Sequence, residues 1–518
     1  MPRSSVLLVA AVLVAACRPA AVTPPASVAP TGGALRVALA AQPTTLDPWN
    51  ADAGSLVATR QVFETLVAFE PATYRLAPGL AAAWQASSDG LRWTFTLRDG
   101  VRFHDGAALD AAAVAASFER ARSARDPRRG PGAFASYRAL FGGFDDASLI
   151  ARVEAIDART VRFELREGYG PFLAHLAMPP AAISRGAAGT GPFVAGPDAI
   201  APDGTISLRR NETYRLRDAA GTALPYLDAL VFRPVGDAAT RLAELRAGRV
   251  DLALDLTVAQ AAAARADPNL AIVLRRDASL ASLAIDAARA PFDRSEVRRA
   301  VALAIDRGTV SALYFGLARP APGVVPAGSL GYDETVTEFG PLDVAAARKL
   351  IMDTGLPPSG EVELGYGAAE TATYPEPRRV AAALAADLAK IGIVARPRAI
   401  DPARRGDAGA PALQLEATAV ATDPDDTFSS LFGPRADGGP AWGWRHPVAS
   451  GLIARARSES DPSKRAELYK QVSKIVRADV PRVPLLFVDR AGAALRKVGG
   501  YAPGPTGTES FVLVFFRP

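Results

Sequence analysis

Residues able to do chemistry are sparse in this chain. Three histidines, His104, His175 and His446, and one cysteine, Cys17, are its whole supply of imidazole and thiol. His104 stands beside Asp105 in LRWTFTLRDGVRFHDG, residues 91–106. An imidazole next to a carboxylate could move protons or bind a metal, but both roles need further partners and the surrounding sequence supplies none. The pair therefore reads as structural. His175 sits in the apolar run FLAHLAM and reads as packed or capped. His446 closes AWGWRHP, where Trp442, Trp444 and Arg445 could stack on and pair with a ligand, or equally pack locally. Asp423 and Asp425 in TDPDD could hold a cation, or act as the carboxylate pair of a hydrolase if a substrate lay between them at a defined separation.

Catalytic templates fail. AGSLG, 327–331, lacks the first glycine of a nucleophile elbow, and there is no H-E-x-x-H and no Walker sequence. GTGPFVAG, 189–196, places Val194 where a dinucleotide loop needs its third glycine and Pro192 directly after Gly191, which fits a tight turn instead. No catalytic residue, metal ligand or cofactor is expected, and turnover of a substrate panel would be the sign of the hydrolase alternative.

The elements that must position these residues follow from patterning. At 518 residues, 49% hydrophobic and 22% charged, the chain is globular material for more than one domain. The net charge of +5 is spread along the length, so no nucleic-acid partner is expected. Arg3 precedes eleven apolar residues, 6–16, a signal-peptide core too short to span a bilayer. The run ends VAAC, which resembles a lipobox, so residues 1–16 are expected to be cleaved, leaving Cys17 lipidated on a Pro- and Ala-rich tether, 17–33. With no second cysteine, disulfides are excluded. LRVALA, 35–40, reads as a buried strand, and Leu56, Phe63, Leu66 and Val67 recur at helical spacing after Asp52 or Ser55 as cap. Trp93, Phe95 and Leu97 alternate with polar residues as a strand. A three-residue loop with Gly100 left-handed would pair Leu97 with Val101 and Phe95 with Phe103, placing His104 opposite Thr94. A capped helix is then expected from Asp110, and further helices follow Asp306 and Asp461 and end at Gly355 and Gly392.

Taken in order, several segments resemble the extracellular solute-binding proteins of family 5, the peptide- and nickel-binding components of ABC importers. They are LAPGLAAAWQASSDGLRWTFTLRDGVRFHDG, GTGPF, ALPYLDALVFRPVGDAATRLAELRAGRVDLAL, APFDRSEVRRAVALAIDR and DPSKRAELYKQVSKIVRADVPRVPLLF. The resemblance implies an α/β, two-lobed periplasmic-binding-protein fold of type II, cluster C. The first lobe would take residues 34–275 and 486–518, with an accessory subdomain at about 70–185, and the second 276–485. Hinge strands would cross near Asp277 to Leu283 and Pro484 to Asp489. A small organic solute would lie in the cleft and pass to a membrane permease, the protein being a lipid-anchored monomer on the periplasmic or cell-surface side of a bacterial membrane. An orphan or sensory lipoprotein on the same fold is the alternative. AAQPTTLDPW resembles the loop lining the cleft, making Thr44, Thr45, Leu46 and Asp47 candidates, although Asp47-Pro48 equally fits a plain turn. In peptide-binding members a Trp and an Asp precede an acidic-Pro pair, and that Asp holds the ligand's ammonium. Aligned on Pro424, this chain has Ala417 and Val420 there, so no charge would compensate a buried ammonium unless Asp423 or Asp425 restores one. No histidine matches a nickel ligand.

Overall fold

The computed structural model describes residues 30–335, 341–355, 361–401, 409–434, 441–507 and 510–518; Cys17 and its leader lie outside them. Two long strands organise the molecule, Leu270–Ile285 and Arg482–Leu495. They run antiparallel along nearly their whole length, from Leu270 opposite Leu495 to Ala284 opposite Arg482. Both are apolar on successive residues because both faces are covered. They stand at the middle of an 11-stranded mixed sheet. On one flank Leu252–Leu256, Ala34–Leu39, Ala229–Pro234, Ile206–Arg210 and Phe193–Ile200 follow in that order. On the other come Leu413–Ala419, Val362–Gly367 and Ala395–Ile400. The outermost strand there alternates Arg396, Pro397 and Arg398 on a half-exposed edge.

Each flank carries its own core, which makes the molecule two-lobed. Leu35, Val37, Phe63, Phe232 and Leu252 close one, while Leu283, Val301, Leu384, Phe428 and Tyr469 belong to the other. The ladder between the shared strands breaks from Arg275 to Ser279. There Asp277 takes a left-handed φ of 52°, a conformation that costs a non-glycine residue free energy. Asp489 accepts the Asp277 N–H at 3.0 Å and Arg276 at 2.7 Å. Arg319 reaches both carboxylates.

A third core, rich in aromatic rings, belongs to a four-stranded antiparallel sheet of Ala81–Ala86, Arg92–Leu97, Thr160–Leu165 and Ile150–Ala155 in spatial order. Helix Ala111–Arg122 packs Val114 and Phe118 onto it. Phe118 meets Phe163 edge to face at 4.9 Å and Trp49 at 5.5 Å, the geometry the ring quadrupole favours. The expected hairpin does not form. Both edges of Arg92–Leu97 are already paired, Phe95 lying between Trp84 and Val161, so the following segment has no edge to join. Val101 and Phe103 instead fold back on their own loop, Leu109 N–H bonding Val101 O at 2.9 Å, and bury their side chains in the same core. Gly100 is left-handed, with φ +71°.

Helix starts agree with their caps. Asp52, Asp110, Asp306 and Asp461 each accept backbone N–H groups of the first turn. The first helix is shorter than its periodicity suggests. It ends at Val62, whose carbonyl is taken by Gly191 N–H at 2.9 Å, and Phe63 turns extended. Among the described residues no helix is long and apolar enough to cross a membrane.

Truncating Phe118 removes a fully buried ring that meets those of Trp49, Phe141 and Phe163. Phe118→Ala is expected to cost about 3–5 kcal/mol, read as an earlier denaturant transition in the fluorescence of Trp49 and Trp93.

Candidate functional site

A cavity of about 380 Å³ opens where the lobes meet. The end of strand Ala34–Leu39 and the start of helix Ala53–Val62 form one wall, through Ala41 and Val57. Asp255 and Thr257 continue it at the end of Leu252–Leu256, where Thr257 caps the next helix. Glu370 and Thr371 face it from the second lobe, and Asp489 and Arg490 of the shared strand complete it. Arg490 pairs loosely with Asp255 at 3.3 Å; Asp489 is committed to Arg276.

The loop Thr44 to Asp47 lies elsewhere. Backbone N–H groups of Thr44 and Thr45 bond Ser55 Oγ at 3.1 and 3.3 Å, and Thr44 Oγ1 bonds Asp52. Asp47 caps the 3-10 turn Pro48–Asn50 and binds Arg120 through both oxygens, at 2.7 and 3.0 Å. Leu46 and Asp47 line a cavity of about 800 Å³ between the aromatic subdomain and the first lobe. Thr44, Thr45 and Asp47 line a neighbouring one of about 720 Å³. Asp47-Pro48 makes the turn, and the loop lines these two cavities and not the interlobe one.

Asp423 and Asp425 are brought together, but with their charges already answered. Asp423 caps Pro424–Phe432 and receives both Arg465 nitrogens at 2.7 and 2.9 Å. Asp425 accepts Arg457 at 2.9 Å and the Tyr469 hydroxyl at 3.2 Å. Burial lifts the Asp425 carboxyl above the usual range in spite of Arg457. Burial also opposes the Arg465 charge, yet Asp423 holds that guanidinium above its ordinary value. Both carboxylates are buried and already paired with a guanidinium, so neither is free to hold an ammonium. Val420 does not supply one: it is 8% exposed within the second core, and Ala417 is a bare methyl at the surface.

AWGWRHP is a packed corner of the second lobe. Trp444 is buried against Phe432 at 5.6 Å and donates to Asp479. His446 stacks on Trp444 and caps Pro447–Ser458 by accepting Ala449 N–H at 3.2 Å. Trp442 sits at a left-handed φ of 51° with its carbonyl bound by Ala287 N–H, and Arg445 is exposed. None of these residues lines the interlobe cavity.

His104 is not beside Thr94. Its N–H bonds Gly189 O at 2.8 Å and its Nε2 lies 3.0 Å from Gly191 O, joining the FHDG turn to the GTGPF turn. Burial holds this imidazole below its ordinary value. A Cβ on Gly189 or Gly191 would fall 1.9 or 2.6 Å from the carbonyl oxygens of Val62 or Gln61, so only glycine fits that turn. Among the described residues no group of three metal-ligating side chains gathers. Asp255, Thr257, Glu370 and Thr371 were missed by sequence reasoning. For the first two a signal existed: DLTVAQ puts a strand end against a helix cap, the position where open α/β sheets bind ligands.

Two lobes sharing two strands, with a cavity lined from both, make the two-lobed architecture of a solute-binding protein. The chain belongs to the bacterial extracellular solute-binding proteins, family 5, whose middle-region model matches residues 75–439. It is 30% identical over 489 residues to di/tripeptide-binding protein 1 of Pseudomonas aeruginosa, covering 88% of each chain. It is 29% identical over 488 residues to heme-binding protein A of Haemophilus influenzae, covering 88% of this chain and 86% of that one. The solved structure of HbpA2 from Haemophilus parasuis superposes with a TM-score of 0.83 at 26% identity, covering 94% of this chain and 100% of that one. The Helicobacter pylori protein DppA, in complex with peptide STSA, gives a TM-score of 0.67 at 26% identity, covering 94% and 98%. The chain is thus the solute-binding component of an ABC importer, in a family of binding proteins rather than enzymes.

Replacing Asp423 by Asn leaves Arg465 buried without its counter-charge. We expect a loss of about 3–5 kcal/mol in the unfolding of the second lobe, followed by denaturant titration.

Proposed function

We propose that the chain captures a small, peptide-like organic solute between its lobes and delivers it to a membrane permease. The carrying observation is the interlobe cavity of about 380 Å³, walled by both lobes and floored by a strand common to them. That volume lies at the low end of the range of about 300–1,000 Å³ usual for small-molecule sites. The lobes would bend where the shared ladder breaks, at Asp277 opposite Asp489, with the first lobe at 34–275 and 486–518 and the second at 276–485. A peptide-like solute is supported by the di/tripeptide-binding relative and the peptide-bound neighbour.

The buried Val420 separates this site from one built to hold an ammonium at that position. Calorimetry with free and N-acetylated di- and tripeptides tests this. Both forms are expected to bind within about threefold of each other, a difference below 1 kcal/mol. Binding abolished by acetylation would refute the assignment of Val420, and no binding of either form would refute the peptide-like solute.

Cys17, outside the described residues, follows the apolar leader and precedes the Pro-rich tether, which supports a lipid anchor on the periplasmic or cell-surface side of a bacterial membrane. Cys17→Ser is expected to move the protein from the membrane to the soluble fraction. Continued sedimentation with membranes would refute the anchor.

A further inference from the structure

His175 has an ionic partner on the opposite lobe. It lies in helix Phe172–Leu176 of the aromatic subdomain, and its Nε2 is 3.1 Å from Asp426 Oδ2, in the first turn of Pro424–Phe432. Its Nδ1 is 3.0 Å from the Leu140 carbonyl. A carbonyl and a carboxylate can only accept, so hydrogen bonds at both nitrogens require both to be protonated. The contact geometry is that of an imidazolium.

The surrounding charges ask for the same state. Asp423, Asp425 and Asp426 cluster with Arg465 and Arg457, three carboxylates against two guanidiniums. An imidazolium at 175 makes the third cation. The remaining polar neighbours are the hydroxyls of Tyr169, 3.4 Å from Nδ1, and Tyr469, and burial lifts the pKa of both phenols. Helix Ala135–Phe141 contributes the Leu140 carbonyl and the edge of Phe141, while its Arg138 is exposed. Strand Val67–Phe69, packed on the His175 helix Phe172–Leu176, is apolar.

The contact sits in a wider seam between subdomain and second lobe. Gly170 N–H bonds Arg457 O at 2.6 Å, and Thr422 Oγ1 lies 3.4 Å from Met178 Sδ. A Cβ on Gly168 would come 2.7 Å from Ser458 O, so the backbones touch. All of these contacts join the aromatic subdomain to the second lobe.

We propose that His175 is a positioning residue acting as a proton-operated clasp: lobe closure binds a proton at His175 that opening releases, so closure weakens as pH rises. The clasp rests on the cleft-closing reading above and is independent of which solute binds. Burial lowers the imidazole's affinity for the proton, but the hydrogen bond and charge of Asp426 outweigh it, and the net shift is upward. A group raised in the closed form stabilises closure fully below the ordinary histidine value of about 6.5 and loses that contribution as pH passes the raised value. Each unit of difference between closed and open forms is about tenfold in their ratio.

Two readouts on the full mature chain, without added solute, test it. With three imidazoles in the sequence, side-chain nitrogen NMR can assign His175 by its loss in His175→Gln. It should be doubly protonated at about pH 6, and small-angle scattering should show expansion toward about pH 9. His175→Gln and Asp426→Asn should each flatten that expansion, the second serving if the first disturbs the subdomain. A neutral His175 at the acid end, a wild-type radius unchanged with pH, or expansion persisting in both variants would overturn the clasp. Failure to bind any peptide with the titration intact would instead refute only the solute reading.

Discussion

Everything in this molecule hangs on the pairing of Leu270–Ile285 with Arg482–Leu495. A strand is stiff along its length, and two hydrogen-bonded strands passing from one hydrophobic core to another fix the lobes' spacing and twist. The longer of the two irregularities in their ladder, between Arg275 and Ser279, carries Asp277 and faces Asp489, buried carboxylates needing Arg276 and Arg319 beside them. This irregular stretch of the ladder is therefore also densely charged. Bending there can exchange ionic contacts without opening either core.

The second lobe repeats this economy where it faces the subdomain. The buried, bidentate Arg465–Asp423 pair is expensive to desolvate and strongly oriented, and Arg457 adds single bonds to Asp425 and Ser429. They hold the start of helix Pro424–Phe432 in place and so present Asp426 at its surface. Carboxylates that looked like reagents in the sequence are the rigid mounting for a residue that did not.

Local signals were read well where they depend on the chain within a few residues. The aspartate caps, the terminal glycines Gly355 and Gly392, and the GTGPF turn all behave as their chemistry dictates. The two-lobed α/β fold followed from the ordered family segments and agrees with the sheet. Reading failed where a distant strand decides. Val101 and Phe103 alternate as a hairpin arm should, but Thr160–Leu165, some sixty residues later, holds the edge they would need. Trp442, Trp444 and Arg445 looked like a binding surface because composition cannot reveal that Phe432 and Asp479 cover the indole of Trp444. The interlobe cavity was illegible for the same reason: Asp255 and Glu370 are brought to it by separate lobes.

The outer strand Ala395–Ile400 carries a consequence for life in a crowded compartment. An open sheet ends in unsatisfied backbone groups that invite a stranger's strand. Here Pro397 contributes no N–H, and Arg396 and Arg398 pair with Glu361 and Glu363 across the neighbouring segment, placing charge along the rim. Charge and a missing donor along the rim thereby keep the broadest sheet from becoming a template for aggregation.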